Sequence, residues 1–324
     1  MRARTIGLVL LGLGAFLLVG ALMMSLVLAP TLVRLPLDQQ STVISVDEDA
    51  RYLDRSELEE ARGTVIVNLL VEGDPGADEA NDDVAVWHYG TSITDADGEL
   101  IVDPSENVNC LDRTNGEAVE CAARTAEIEG LTLTFPFDTQ KRDYQVWNGN
   151  IGAPVTAGYA GEDTVEGVDV YRFEVSIPAT EIDRTEVPGR LAASDEPSVT
   201  ADVVYSNERT ILVEPVSGKI VSSVENPRIV LKNPNGATGA TILAATFGPD
   251  DETLARNAED AADTRSQIRL VGTILPWVLG VLGVLALVAG AVLAAFAPRA
   301  ADSTPPRHAV DRDEERPVPT AAAN

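Results

Sequence analysis

The chain has 324 residues and is strongly acidic: 51 Asp and Glu stand against 24 Lys and Arg, a net charge of −27. Such a balance repels nucleic acid and anionic headgroups. Two cysteines and two histidines supply few ligands for a metal or redox centre.

The first element is an apolar run. After Arg2 and Arg4, residues 5–33 carry no charge, and no acidic residue precedes Asp38. A helix needs about 20 apolar residues to cross the hydrocarbon core, so 29 suffice. Basic residues ahead of the run predict a cytoplasmic N-terminus. Val27-Leu28-Ala29 is a passable cleavage site. The run is nevertheless far longer than the apolar core of a secretory signal, about 7–15 residues, and residues 1–33 read as an uncleaved anchor.

Residues 34–249 are the expected β-rich extracytoplasmic domain. None of the acidic residues precedes it and five follow the second apolar run; of the basic residues, two precede the first run and four follow the second. The intervening region, residues 34–269, therefore carries −28. Strand patterning appears at 64–71, 84–89, 168–175, 199–205, 210–213 and 219–231, with turns at 95–98 and 215–218. Residues 56–61 (SELEEA) read as a short helix. Cys110 and Cys121 flank Asn115-Gly116, a strong hairpin-turn signal. A tight turn there places the two cysteines opposite one another, within disulfide reach. A disulfide requires an oxidising compartment, which agrees with the side of the membrane that the apolar runs assign.

Residues 250–269 are rich in helix formers and open with acidic residues, so they predict a helical stalk. Residues 270–298 form a second uncharged run of 29, with Trp277 near its start and Arg299 closing it, a second transmembrane helix. Residues 299–324, rich in proline and charge, predict a disordered cytoplasmic tail. Small residues lie four apart in both runs (Ala21, Ser25 and Ala29; Ala286, Gly290 and Ala294), a spacing that lets membrane helices approach closely, as an antiparallel pair or between copies. Neither run contains an ionisable residue, so both read as anchors and not as a transport route.

The sequence assigns no catalytic, cofactor-binding or metal residue. His88 is the only histidine in the domain and sits in a strand-like run. Asp95, Asp97 and Glu99 alternate as calcium ligands do, but the sixth place of that loop is Leu100, where glycine is required. The acidic stretch 74–83 reads as a solvated turn. Phe135, Phe137, Tyr144 and Trp147 form the densest aromatic patch, a candidate apolar groove for a lipid as well as candidate core.

Several segments occur in a consistent order between the two runs: Leu35-Pro36-Leu37-Asp38, FPFDTQKRDYQVWNG at 135–149, GEDTVEGVDVYRFE at 161–174 and Val213-Glu214-Pro215-Val216-Ser217-Gly218. This arrangement resembles an actinobacterial envelope family of unknown function that carries the name PorA family porin. The family's name suggests a channel. A strand-built porin, however, crosses the membrane with many lipid-facing strands and has no helical anchors. The layout is also similar to that of lipid-carrying scavenger receptors, with a β-rich ectodomain between terminal anchors. The expected protein is therefore a membrane-anchored β-rich (α+β) extracytoplasmic domain between two terminal transmembrane helices. It would be a non-enzymatic envelope protein of the cytoplasmic membrane, both termini inside, binding or helping to transfer an apolar envelope lipid. A scaffold that holds envelope proteins or further copies of itself, and a porin-like channel, are the alternatives; no nucleic acid and no cofactor is expected.

Overall fold

The computed structural model describes residues 2–296; the expected tail at 299–324 lies outside them. The domain between the apolar runs is a single antiparallel sheet. Its strands are β1 (Gln40–Asp54), β2 (Glu59–Gly73), β3 (Val84–Asp95), β4 (Leu100–Asp112), β5 (Tyr144–Asn148), β6 (Ala153–Val165), β7 (Val168–Pro188), β8 (Ser198–Val213), β9 (Ile220–Glu225), β10 (Arg228–Lys232) and β11 (Thr238–Ala244). They lie in the order β4-β3-β2-β1-β11-β10-β8-β7-β6-β5, and β9 pairs with the second half of β8. The sheet curves into a half-barrel.

Its two edge strands are joined at one rim by the segment that follows β4. Leu111 of β4 bridges Ala118, Glu117 bridges Leu131, and Leu131 bridges Val146 of β5. The Leu131 N–H donates to the Gln145 carbonyl at 2.9 Å, and the Trp147 N–H donates to the Leu131 carbonyl at 2.7 Å. This strap satisfies edge groups that would otherwise template aggregation.

The strand expectations fall within β2, β3, β7, β8, β9 and β10, with Asn226-Pro227 dividing the run at 219–231 into two strands. The helix expected at 56–61 is not formed. Asp54 Oδ1 instead accepts from the Ser56 N–H at 2.8 Å and the Glu57 N–H at 3.1 Å, and Leu58 takes φ 56, closing a turn between β1 and β2. An Asp that binds the next backbone amides competes with helix and favours a turn.

The core lies on the concave side. Phe135 stacks on Phe173 at 4.7 Å between ring centroids, and Tyr144 meets both rings edge-on at 5.3 and 5.7 Å. Ile211, Val213, Leu231 and Leu243 from the facing strands are fully buried around them.

Helix α3 (Asp251–Arg269) begins at Asp250, whose carboxylate accepts from the Thr253 N–H at 2.8 Å, an N-cap. Ala258 and Ala261 on α3 bury against Val168, Val170 and Val221, so this helix packs on the sheet. A π-helical turn, Leu270–Ile274, leads into α4 (Leu275–Phe296). The N-terminal run is built the same way: α1 (Arg2–Met23), a π turn at Met24–Leu28, then α2 (Ala29–Leu32). Each π turn ends two residues before a proline, Pro30 and Pro276. Proline cannot donate and crowds the carbonyl four residues back. Bonds from Ala29 to Met24 and from Leu275 to Leu270, five residues apart, relieve that crowding.

Arg4–Leu32 and Asp251–Phe296 are long and apolar enough to cross a membrane. Among the described residues, 2–19 and 279–296 make one compact unit and 20–278 the other. Within the first unit the helices touch through glycine. A Cβ on Gly14 would lie 2.7 Å from the Gly283 carbonyl oxygen, and one on Gly290 would lie 2.7 Å from that of Gly7. The contact repeats every seven residues (Gly7 and Gly14, Gly283 and Gly290), a coiled-coil period. Of the small residues the sequence reading marked in the N-terminal run, none lies in this unit; Gly290 and Ala294 of the second run do meet the first helix, at Gly7.

Candidate functional site

Strand alternation hollows one end of the concave face. On β1, Ser41, Val43 and Ser45 point inward; on β2, Leu69 and Val71; on β3, Trp87. At the other end of β2 the same parity carries Val65 into the solid core. A β-bulge between Asp47 and Ala50 resets the parity of β1, so Ala50 enters the core as well. The far wall is Ile220–Ser223 of β9 with Arg209 of β8, and Asn257, Asp260 and Thr264 of α3 close one side. Leu133 and Phe137 complete the apolar surface. The resulting groove has a volume of about 440 Å³. Trp87 anchors its floor: its ring N–H donates to the Pro36 carbonyl at 3.0 Å, which holds the stretch after the first helix against β3.

The groove carries three cations inside a strongly acidic domain. Arg34 pairs with Asp83 at 3.0 Å, and Lys219 pairs with Asp260 at 2.5 Å. Arg209 donates from Nε to the Ser223 hydroxyl at 2.7 Å.

The four aromatic residues singled out in the sequence separate. Phe135 and Tyr144 are core, 2% and 6% exposed. Trp147 is half-buried on β5, and Phe137 alone reaches the groove. Val43, Leu69, Val71 and Trp87 bring further apolar surface from β1, β2 and β3, where the Ser41-Val43-Ser45 alternation was the available signal.

Cys110 and Cys121 form a disulfide, with Cα atoms 6.2 Å apart. The hairpin register differs from the expected one. The Val119 N–H donates to the Cys110 carbonyl at 2.8 Å and the Asp112 N–H to the Glu117 carbonyl at 2.9 Å, so Val119 opposes Cys110. The loop is wider than a two-residue turn because Asp112 Oδ1 accepts from the Thr114 N–H at 2.7 Å, and Cys121 reaches back to Cys110 past Val119.

The acidic loops spend carboxylates on their own backbone. Asp95 Oδ1 accepts from the Asp97 and Glu99 amides at 3.0 and 2.9 Å, and Asp74 Oδ1 from the Gly76 amide at 2.9 Å. Among the described residues no cluster of three His, Cys, Asp or Glu is placed to hold a metal. His88 faces the other side of β3, over an open depression of about 990 Å³ shared with Asp38, Glu72 and Glu106. Burial raises the Tyr89 and Tyr205 hydroxyl pKa values above the ordinary phenol range.

The described residues thus form a curved β-sheet with a hollowed concave end and, before and after it in the chain, two helices long and apolar enough to span a bilayer. The chain belongs to the Porin PorA family, whose profile matches residues 6–292. It is 23% identical over 379 aligned positions to Porin PorA of Corynebacterium amycolatum, an alignment covering 89% of this chain and 97% of that protein. It is 22% identical over 233 positions to Porin PorA of Corynebacterium resistens, covering 51% of this chain and 55% of the relative.

Proposed function

We propose that this protein is a non-enzymatic component of the cell envelope, anchored in the cytoplasmic membrane by residues 1–33 and 270–298 with both termini inside. Its extracytoplasmic domain, residues 34–249, with the 250–269 helix, binds an apolar envelope component and helps to move it from the membrane. The observation that carries this reading is the groove itself: it gathers apolar side chains at Val43, Leu69, Val71, Trp87 and Phe137, and is bordered by Arg34, the first charged residue after the N-terminal apolar run. Ligand sites are concave, with apolar surface and polar groups that orient the ligand, and this groove combines apolar side chains with polar and charged ones. The disulfide supports an extracytoplasmic domain, since such bonds persist in oxidising compartments.

Native mass spectrometry of the full-length protein, purified from its own membranes, tests the reading. A lipid retained at fixed stoichiometry, and lost in Val43→Trp, is the expected result. An empty protein, or lipid retained equally by Val43→Trp, would count against it.

The name of the relatives favours a second reading, a channel. In this chain the helices touch at Gly7, Gly14, Gly283 and Gly290, and two helices in backbone contact enclose no lumen. Conduction would therefore need several copies. Conductance steps from the pure protein in planar bilayers would support it, and a silent bilayer at high protein load would oppose it.

A further inference from the structure

We infer that the groove takes a single-chain amphiphile with an anionic head, and that Arg209 is the residue that holds the head. The inference rests on the groove reading above and adds the chemistry of the ligand. Arg209 belongs to the inward face of β8, where its neighbours Tyr205, Asn207 and Ile211 are buried. Of the groove's three cations, Arg34 and Lys219 already have carboxylate partners. Arg209 has none within ion-pair distance among the described residues. Glu225 lies across from it on β9, but its carboxylate accepts from the Asn207 amide at 3.0 Å.

The Arg209 guanidinium is half-buried and forms no ion pair among the described residues. Ser223 takes only its Nε proton, so the terminal N–H groups remain for a carboxylate or phosphate, which arginine grips in bidentate fashion. The same groove presents apolar side chains at Val43, Leu69, Val71, Leu133 and Phe137. A cation free of a carboxylate partner in the same groove as apolar side chains recognises an amphiphile. A volume of about 440 Å³ lies at the small end of ligand pockets and suits one chain better than two.

The test is equilibrium binding to the full-length protein in phosphatidylcholine nanodiscs, with empty nanodiscs subtracted. Three radiolabelled probes of equal chain length are compared: hexadecanoate, hexadecyl phosphate and hexadecanol. At least one anionic probe should bind about tenfold tighter than the alcohol, as a charge-assisted contact provides, and whichever anion leads identifies the head. Arg209→Gln should abolish that preference while leaving hexadecanol binding unchanged, and Arg209→Lys, which keeps the charge, should retain part of it. Equal binding of all three by the unmodified protein overturns the role of Arg209 but leaves the groove reading standing. No binding of any probe overturns both.

Discussion

The disulfide between Cys110 and Cys121 ties edge strand β4 to the strap that joins it to β5. Cys110 lies on the strand, Cys121 lies just beyond Val119, and Leu131 further along the same segment bridges Val146. The bond thus secures a stretch that connects the two ends of the sheet.

Replacing both cysteines with serine should therefore loosen the strap before the rest of the sheet. A disulfide closing a short loop contributes about 2–3 kcal/mol through the unfolded state. Hydrogen exchange read by mass spectrometry should accelerate across residues 111–131 and leave β7 and β8 protected. Uniform loss of protection would contradict a local role.

Core and groove aromatics should separate in two measurements. Phe173→Ala removes a fully buried ring stacked on Phe135 and should cost about 3–5 kcal/mol. Phe137→Ala should cost about 1 kcal/mol or less, because its ring is only half-buried, yet should weaken binding of an apolar probe. Denaturant unfolding and probe titration on the same two variants distinguish the roles.

The glycine contact between the helices makes a position-specific prediction. Gly14→Val forces a side chain into the Gly283 carbonyl and should lower the unfolding midpoint in detergent micelles, with an overpacking cost of about 1–3 kcal/mol. Gly12→Val, two residues away with nothing within 4 Å of its Cβ position, should leave the midpoint unchanged. Equal effects would place the contact elsewhere.

Asp250 gives a pH dependence with a definite sign. Its bonds to Thr253 hold its carboxyl below the usual range. A depressed folded pKa contributes stability that is present above the unfolded value, about 3.9, and disappears as pH falls through the folded one. Protection of the first turn of α3 should decline on acidification through that window. Asp250→Asn keeps a capping oxygen without a proton to gain, and the decline should flatten.

The sequence made some of this architecture legible and hid the rest for physical reasons. The two apolar runs and the alternating run in β7 carry period and length in their composition. Strands β1 and β4 escaped because both are rich in acidic and polar residues, and their pairing is set by neighbours distant in sequence. The paired cysteines were evident from Asn115-Gly116, but Asp112 bonding its own backbone widened the loop and moved the register. Phe135 and Phe137 look alike in sequence, two residues apart; only the fold sends one into the core and the other to the groove. Arg209 carried no local signal at all, because its significance lies in the absence of a carboxylate partner contributed by other strands.

Photo-crosslinking of the full-length protein in membranes, with a long-chain fatty acid bearing a diazirine at its tail, shows where an apolar ligand sits. The label should map to peptides containing Val43, Leu69 and Phe137, and Val43→Trp should suppress it. Labelling confined to residues 6–32 and 270–296, or to the opposite face at Ile44 and Leu70, would contradict a ligand groove on the concave side of the sheet.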